Sequence, residues 1–155
     1  MDPLWLKLVH ILGAVVLFGT GLGTAFQMWR AHRKGNVTAI AQTARSVVVA
    51  DWIFTAPAVV VQPVTGLLLV RAAGHDLSAG WITVAIGLFF LAGLCWLPVV
   101  WLQYRMAAYA ARAAADDRPL PPAYHHTARV WFWLGWPAFL SVLGIFYLMV
   151  FKPEI

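Results

Sequence analysis

Two ionisable side chains interrupt apolar stretches of this chain that are long enough to cross a lipid bilayer. His10 lies in the stretch from Leu4 to Trp29, and Asp51 lies near the start of a stretch from about Val47 to Val70. An ionisable side chain inside a membrane costs about 2.5–3.5 kcal/mol on insertion scales, and such residues usually face neighbouring helices and mark functional sites. We therefore expect the chemistry of this protein at these two residues.

His10 shares one face of its predicted helix with small residues, because positions about 100° apart recur on the same side of a helix. That face consists of His10, Gly13, Ala14, Leu17, Gly21 and Thr24. A histidine inside a spanning helix is a haem or metal ligand, a proton relay or an interhelical hydrogen-bond donor. A porphyrin needs a flat, small surface beside its axial histidine, and Gly13 lies one turn from His10. Three roles of His10 stay open: it ligates haem b, it only makes a hydrogen bond, or it binds a metal or another ligand. No second axial ligand for a haem is evident.

Asp51 heads a polar stripe along one face of the second apolar stretch. The polar stripe comprises Asp51, Thr55, Ala58, Gln62, Thr65 and Gly66. The cations predicted at the same membrane side include Arg45 and Arg129, together with Arg30 and the pair His125-His126. Asp51 is therefore either half of a structural ion pair, for example with Arg45 or Arg129, or a proton or ligand site.

The elements that position these residues are predicted from composition. The 155 residues are 62% hydrophobic and 11% charged, whereas soluble domains average about 25% charged. Four apolar stretches are each long enough for a spanning helix, which satisfies its own backbone at membrane depth. We predict an all-α fold, a four-helix transmembrane bundle forming one domain over residues 1–155. The predicted helices cover about 4–29, 47–70, 81–103 with an extension to about 115, and 130–151.

The basic residues predict how the bundle is oriented, because Lys and Arg beside spans mark the cytoplasmic side. Eight of the eleven fall in the first and third loops: Arg30, Arg33, Lys34, Arg45, Arg105, Arg112, Arg118 and Arg129. We expect these loops in the cytoplasm, both termini outside, and a bacterial inner membrane as the location. The net charge of +5 then reflects contact with the lipid bilayer, and nucleic acid is not expected as a partner.

Two further glycines lie on the opposite face of the first helix. Gly19 and Gly23 have the small-xxx-small spacing that lets helix backbones approach closely. The first helix is accordingly predicted to be central and packed on two sides, and its glycine-rich face is compatible with a homodimer.

Signatures of several enzyme classes are missing from the sequence. It has no glycine-rich phosphate loop, no GxSxG and no HExxH, and Cys95 is its single cysteine. Hydrolytic and kinase chemistry and a thiolate metal site have no support, and whether the protein is an enzyme stays open.

The chain resembles a bacterial family of predicted integral membrane proteins that is defined as a domain of unknown function. The resemblance runs through LWLKLVHILGAVVLFGTGLGTAF, ARSVVVADWIFTAPAVVVQPVTGLLL and YLMVFKP, and so covers nearly the whole chain. The segment LKLVHILG is also remotely similar to the first helix of HemJ-type protoporphyrinogen oxidases and CopD-type copper-resistance proteins. The HemJ resemblance implies that His10 is a haem ligand.

Three functional hypotheses remain open on these grounds. The protein is a haem- or porphyrin-associated redox protein with His10 as axial ligand, a small transporter or metal-handling protein that uses the polar stripe, or a non-catalytic membrane scaffold subunit.

Overall fold

The computed structural model describes residues 2–154 and consists of four long helices. They are α1 (Pro3–Lys34), α2 (Val37–Ala72), α3 (Gly80–Ala115) and α4 (Pro122–Phe151). Each is long and apolar enough to cross a membrane, and the described residues contain no strand. The predicted all-α, four-helix transmembrane bundle is confirmed.

The first two helices are joined by a two-residue turn with defined caps. The backbone N–H of Gly35, at φ +67°, donates to the carbonyl of Ala31 and closes α1 in a left-handed conformation that glycine adopts without strain. The side chain of Asn36 then accepts a hydrogen bond from the backbone N–H of Ala39 at 2.9 Å and opens α2.

Helix α2 is longer than predicted because residues 37–46 are continuous with the spanning segment. The sequence between Asn36 and Pro57 contains neither glycine nor proline that would end a helix. Just before Pro57, a π-helical turn interrupts the α-helical hydrogen bonding at Asp51–Thr55. Proline lacks an N–H and its ring crowds the carbonyl four residues earlier, and a wider turn accommodates it.

Helix α4 likewise begins earlier than the predicted position near 130. Pro122 occupies its first turn, where a missing N–H costs nothing. Helix α3 ends at Ala115, and the prolines at 119, 121 and 122 follow it.

The helices pack as two pairs that are joined mainly at one end. Helices α3 and α4 share the largest contact, and the first half of α2 (Val37–Ala50) packs on α3. The second half of α2 (Ala56–Ala72) packs instead on α1, and α1 touches α4 only lightly. The contact between the pairs therefore lies at the first half of α2.

We call the end of the bundle that holds loops 35–36 and 116–121 the basic end, and the opposite end, with both termini and loop 73–79, the terminal end. The main apolar core lies towards the basic end. It consists of Met28, Ala31, Ile40, Ala44, Val47, Val99, Leu102, Met106, Ala110, Tyr124 and Trp131. Tyr124 is fully buried there, and its hydroxyl lies 2.6 Å from Nε2 of His32 on α1.

The terminal end has fewer buried apolar side chains: Leu6, Ile82, Ala85 and Leu148. The most apolar window of α1 contains no buried residue, and neither Gly19 nor Gly23 has a neighbouring atom within 4 Å of the position of an added Cβ. The expectation that a second helix packs closely at Gly19 and Gly23 is therefore wrong for the single chain, although Phe18 of α1 contacts Phe139 and Phe146 of α4. The glycine-rich face of α1 is open.

Candidate functional site

His10 lies between α1 and α2 near the terminal end. Its ring Nδ1 is 2.8 Å from the hydroxyl oxygen of Thr65. That hydroxyl also lies 2.7 Å from the carbonyl oxygen of Val61, one turn back on α2, and donates its single hydrogen there. With that hydrogen on the Val61 carbonyl, the hydrogen between His10 and Thr65 comes from Nδ1, and the Nε2 of a neutral His10 carries a lone pair; in the other tautomer Thr65 donates to Nδ1 over the same distance.

A second polar contact joins the same two helices. The side-chain amide of Gln62 donates to the backbone carbonyl of His10 at 2.7 Å. A Cβ added at Gly13 would lie 2.5 Å from Nε2 of Gln62, and one added at Gly66 would lie 3.3 Å from Cε1 of His10. Both glycines are thus needed for the close approach of α1 and α2. We call His10, Gly13, Gln62, Thr65 and Gly66 the histidine clasp.

The clasp changes the role expected for Gly13. The sequence suggested that Gly13 leaves a flat surface for a porphyrin beside His10, but the side chain of Gln62 occupies that space. The open side of the imidazole is Nε2 instead. No residue that the structure describes hydrogen-bonds to it, and it is not among the buried polar atoms that lack a partner, so it reaches the surface of the helix pair.

Asp51 lies at the other end of the polar stripe, and only 5% of its surface is exposed. Its Oδ1 accepts a hydrogen bond from the hydroxyl of Thr55 at 2.7 Å. Its Oδ2 is buried and has no partner in the part of the chain that the structure describes. The expected ion pair is absent from this structure, because Arg45 and Arg129 both have exposed side chains while the Asp51 carboxylate lies inside the bundle.

The polar stripe forms the inward face of α2 but divides into two parts. Asp51, Thr55, Ala58 and Thr65 are its buried members, and Gln62 is partly buried. Asp51 bonds within its own helix, whereas Gln62 and Thr65 bond to His10. At 1.5 Å per residue, about 16 Å of helix separates Asp51 from Gln62. The two titratable groups, Asp51 and His10, therefore lie at opposite ends of the polar stripe and do not form a single site.

One further polar residue was missed by sequence reasoning. Gln103 is 5% exposed, and its Oε1 has no partner among the described residues. It was read as the last residue of the third apolar stretch. Its burial could have been predicted from its spacing to Val99, Met106 and Ala110. A residue that lies four positions after one apolar residue and three positions before another shares their face of the helix.

Comparison with known proteins identifies the chain only as a membrane protein. The model of the family described as "Predicted integral membrane protein (DUF2269)" matches residues 4–153. The chain therefore belongs to this family of predicted integral membrane proteins. No curated protein and no solved structure matches it significantly.

Proposed function

We propose that this member of the DUF2269 family binds haem or a closely related metalloporphyrin, with Nε2 of His10 as the axial ligand. The observation that supports the proposal is the 2.8 Å contact between Nδ1 of His10 and the hydroxyl of Thr65, in which we assign Nδ1 as the donor. A ligating histidine almost always donates its second ring N–H to a neighbouring group, which fixes the ring and its tautomer. Thr65 does this for His10 and leaves Nε2 as the metal-binding atom.

The packing of the terminal end supports the same proposal. The apolar core lies towards the basic end, and the second half of α2 packs mainly on α1. A flat apolar macrocycle therefore meets fewer packed side chains beside His10 than elsewhere in the bundle. We propose His10 as the single protein ligand of the iron.

Haem supplies one-electron chemistry when it is bound. The remaining contributions come from the chain, which holds the imidazole in one tautomer and buries it between helices. The resemblance to HemJ-type oxidases adds support at His10. In that family a lysine of a later helix is also functional, and α2, α3 and α4 contain no lysine. We therefore propose haem binding and not the oxidase reaction.

The test is an absorption spectrum of the detergent-purified protein, before and after incubation with haem. We expect a Soret band in the wild-type protein, its loss in His10→Ala, and its retention in the matched control His75→Ala. His75 lies in loop 73–79, where its ring packs against Trp81 at the start of α3. No Soret band after reconstitution would reject the proposal. If His10→Ala only lowers thermal stability, the histidine clasp serves only to hold α1 and α2 together, and the scaffold hypothesis is preferred.

A second candidate function is transport of a small cation along the polar stripe. It is favoured by the burial of Asp51, an ionisable side chain that has no ion-pair partner in the described residues. The test is cation flux into proteoliposomes. Asp51→Asn should abolish the flux and Asp76→Asn, in loop 73–79, should leave it unchanged; equal flux in all three proteins rejects transport.

We further propose a bacterial inner membrane as the location, with the basic end in the cytoplasm and both termini outside. The support is the concentration of Arg and Lys at that end. A periplasmic reporter fused at the C-terminus should be active, and one fused within loop 116–121 should be inactive.

For the assembly we propose a homodimer through the glycine-rich face of α1. Gly19 and Gly23 have no neighbouring atom within 4 Å of an added Cβ, so a second helix can approach there. Gly19→Leu should weaken crosslinking between copies, whereas the control Gly87→Leu on α3 should not.

A further inference from the structure

Two buried oxygen acceptors on different helices have no donor among the described residues. They are Oδ2 of Asp51 on α2 and Oε1 of Gln103 on α3, and both residues are 5% exposed. Buried polar atoms are nearly always hydrogen-bonded, and leaving one unpaired is costly. Two indole N–H groups, those of Trp96 and Trp131, are likewise buried without an acceptor in the part of the chain that the structure describes and do not bond to either oxygen, so both oxygens are open to a partner from outside the chain.

A hydrogen bond between α2 and α3 places the two residues at the same depth. The indole N–H of Trp52 donates to the hydroxyl of Tyr104, and Asp51 and Gln103 are the residues immediately before these two. Because Asp51 and Gln103 are both buried, both side chains point into the bundle.

The core residues next to them agree with that register. Val47, one turn before Asp51, and Met106, three residues after Gln103, lie on the side of the basic end, since the helices are antiparallel, and both belong to the apolar core. Asp51 and Gln103 thus lie at one level next to that core, with Asp51 on a turn that packs mainly on α1.

The carboxylate of Asp51 makes no ion pair with any residue that the structure describes. The basic side chains predicted to face it are all exposed: Arg30, Arg45, His125, His126 and Arg129. The ring of His32 is hydrogen-bonded to Tyr124. Thr55 donates one hydrogen bond to Oδ1 but carries no charge. Burying an uncompensated carboxylate is far more costly than burying a neutral polar group.

We propose that Oδ2 of Asp51 and Oε1 of Gln103 together bind one monovalent cation inside the bundle. A water molecule satisfies two acceptors but leaves the charge uncompensated, whereas a cation meets both requirements. One carboxylate and one amide oxygen are hard ligands with a total charge of −1, which matches a monovalent cation better than a divalent one. The positive charge comes either from a sodium ion or from a proton, and the site is independent of His10.

The sodium arm of the test measures thermal stability in nanodiscs as sodium chloride replaces choline chloride at constant ionic strength. We expect the wild-type melting temperature to rise with sodium and to saturate. Gln103→Leu should shift the half-saturating concentration about tenfold upwards, because one of the two oxygen ligands of the ion is lost. Asp51→Asn should abolish the dependence, and Asp76→Asn, the matched exposed carboxylate, should preserve it.

The proton arm uses infrared spectroscopy of the same proteins at neutral pH. If the positive charge is a proton, we expect a carbonyl band of a protonated carboxyl group that is present in wild type and Asp76→Asn and missing in Asp51→Asn. Both arms can be read on the wild-type protein and on Gln103→Leu even if Asp51→Asn does not fold. A wild-type protein with neither a saturable sodium dependence nor a protonated carboxyl band overturns the proposal.

Discussion

The two ends of this bundle are held together by different kinds of contact. At the basic end, apolar side chains from all four helices form the core around Met106 and the fully buried Tyr124. At the terminal end, α1 and α2 are joined by hydrogen bonds from Gln62 and His10 and by two glycines that allow them. The first arrangement depends on buried volume, and the second depends on the position of a few polar atoms.

The difference indicates which end is specialised for stability and which is available for function. An apolar core tolerates little change in volume and offers no reactive atom. The histidine clasp buries little apolar surface, but it fixes one imidazole and leaves one of its nitrogens unpaired. We therefore assign stability mainly to the basic end and propose haem binding at the terminal end. The following substitutions test that division.

The largest effect is expected at the basic end from Tyr124→Ala. The substitution removes the largest fully buried side chain and leaves His32 without its partner, so the free energy of unfolding should fall by about 3–5 kcal/mol. The measurement is denaturant unfolding in mixed micelles. The control is Tyr147→Ala, because Tyr147 is 56% exposed. Equal losses in the two variants would contradict the assignment of stability to this end.

An intermediate effect is expected at the terminal end from Gly13→Ala. The added Cβ would lie 2.5 Å from Nε2 of Gln62, so the flexible Gln62 side chain must move and give up its hydrogen bond to the carbonyl of His10, at a cost of about 1 kcal/mol. Gly19→Ala is the matched control on the same helix, because nothing lies within 4 Å of its added Cβ. Combining Gly13→Ala with Gln62→Ala should recover part of the loss in a double-mutant cycle. Strict additivity would show that Gln62 is not what fills the space beside Gly13.

The smallest effect on stability, and the most informative one, is expected from Thr65→Val. The hydrogen bond to His10 is lost, which within a membrane costs about 0.6 kcal/mol. Haem affinity should fall by about tenfold or more, because the group that orients the ligand is gone. The control is Thr43→Val, whose hydroxyl bonds only to its own helix. A stability loss without any change in haem titration would assign Thr65 to structure alone.

The sequence predicted the architecture but not which groups meet. Four apolar stretches and the alanine-rich extension define the helices, because length and apolarity decide whether a segment spans a membrane. The helical face of His10 was also predictable from spacing. Whether the space beside Gly13 would hold a cofactor or the side chain of Gln62 depends on the register between two helices, which spacing within one helix does not contain.

The partners of Asp51 show the same limit. Its nearest predicted cations lie at the correct end of the bundle, but Arg45 and Arg129 have exposed side chains. Gln103 belongs to a different apolar stretch, and the contact between Trp52 and Tyr104 indicates that it lies at the depth of Asp51.

The proposal that the terminal end binds haem depends most directly on which ring nitrogen of His10 carries the proton. ¹⁵N NMR of histidine-labelled protein at a pH where His10 is neutral measures this, and comparison with His10→Gln assigns its signals among the five histidines. We predict a protonated Nδ1 and an unprotonated Nε2 in the haem-free protein, with the Nε2 signal changing when haem is added. A proton on Nε2, with Nδ1 accepting from Thr65, would contradict the account, because the atom proposed as the iron ligand would have no lone pair to give.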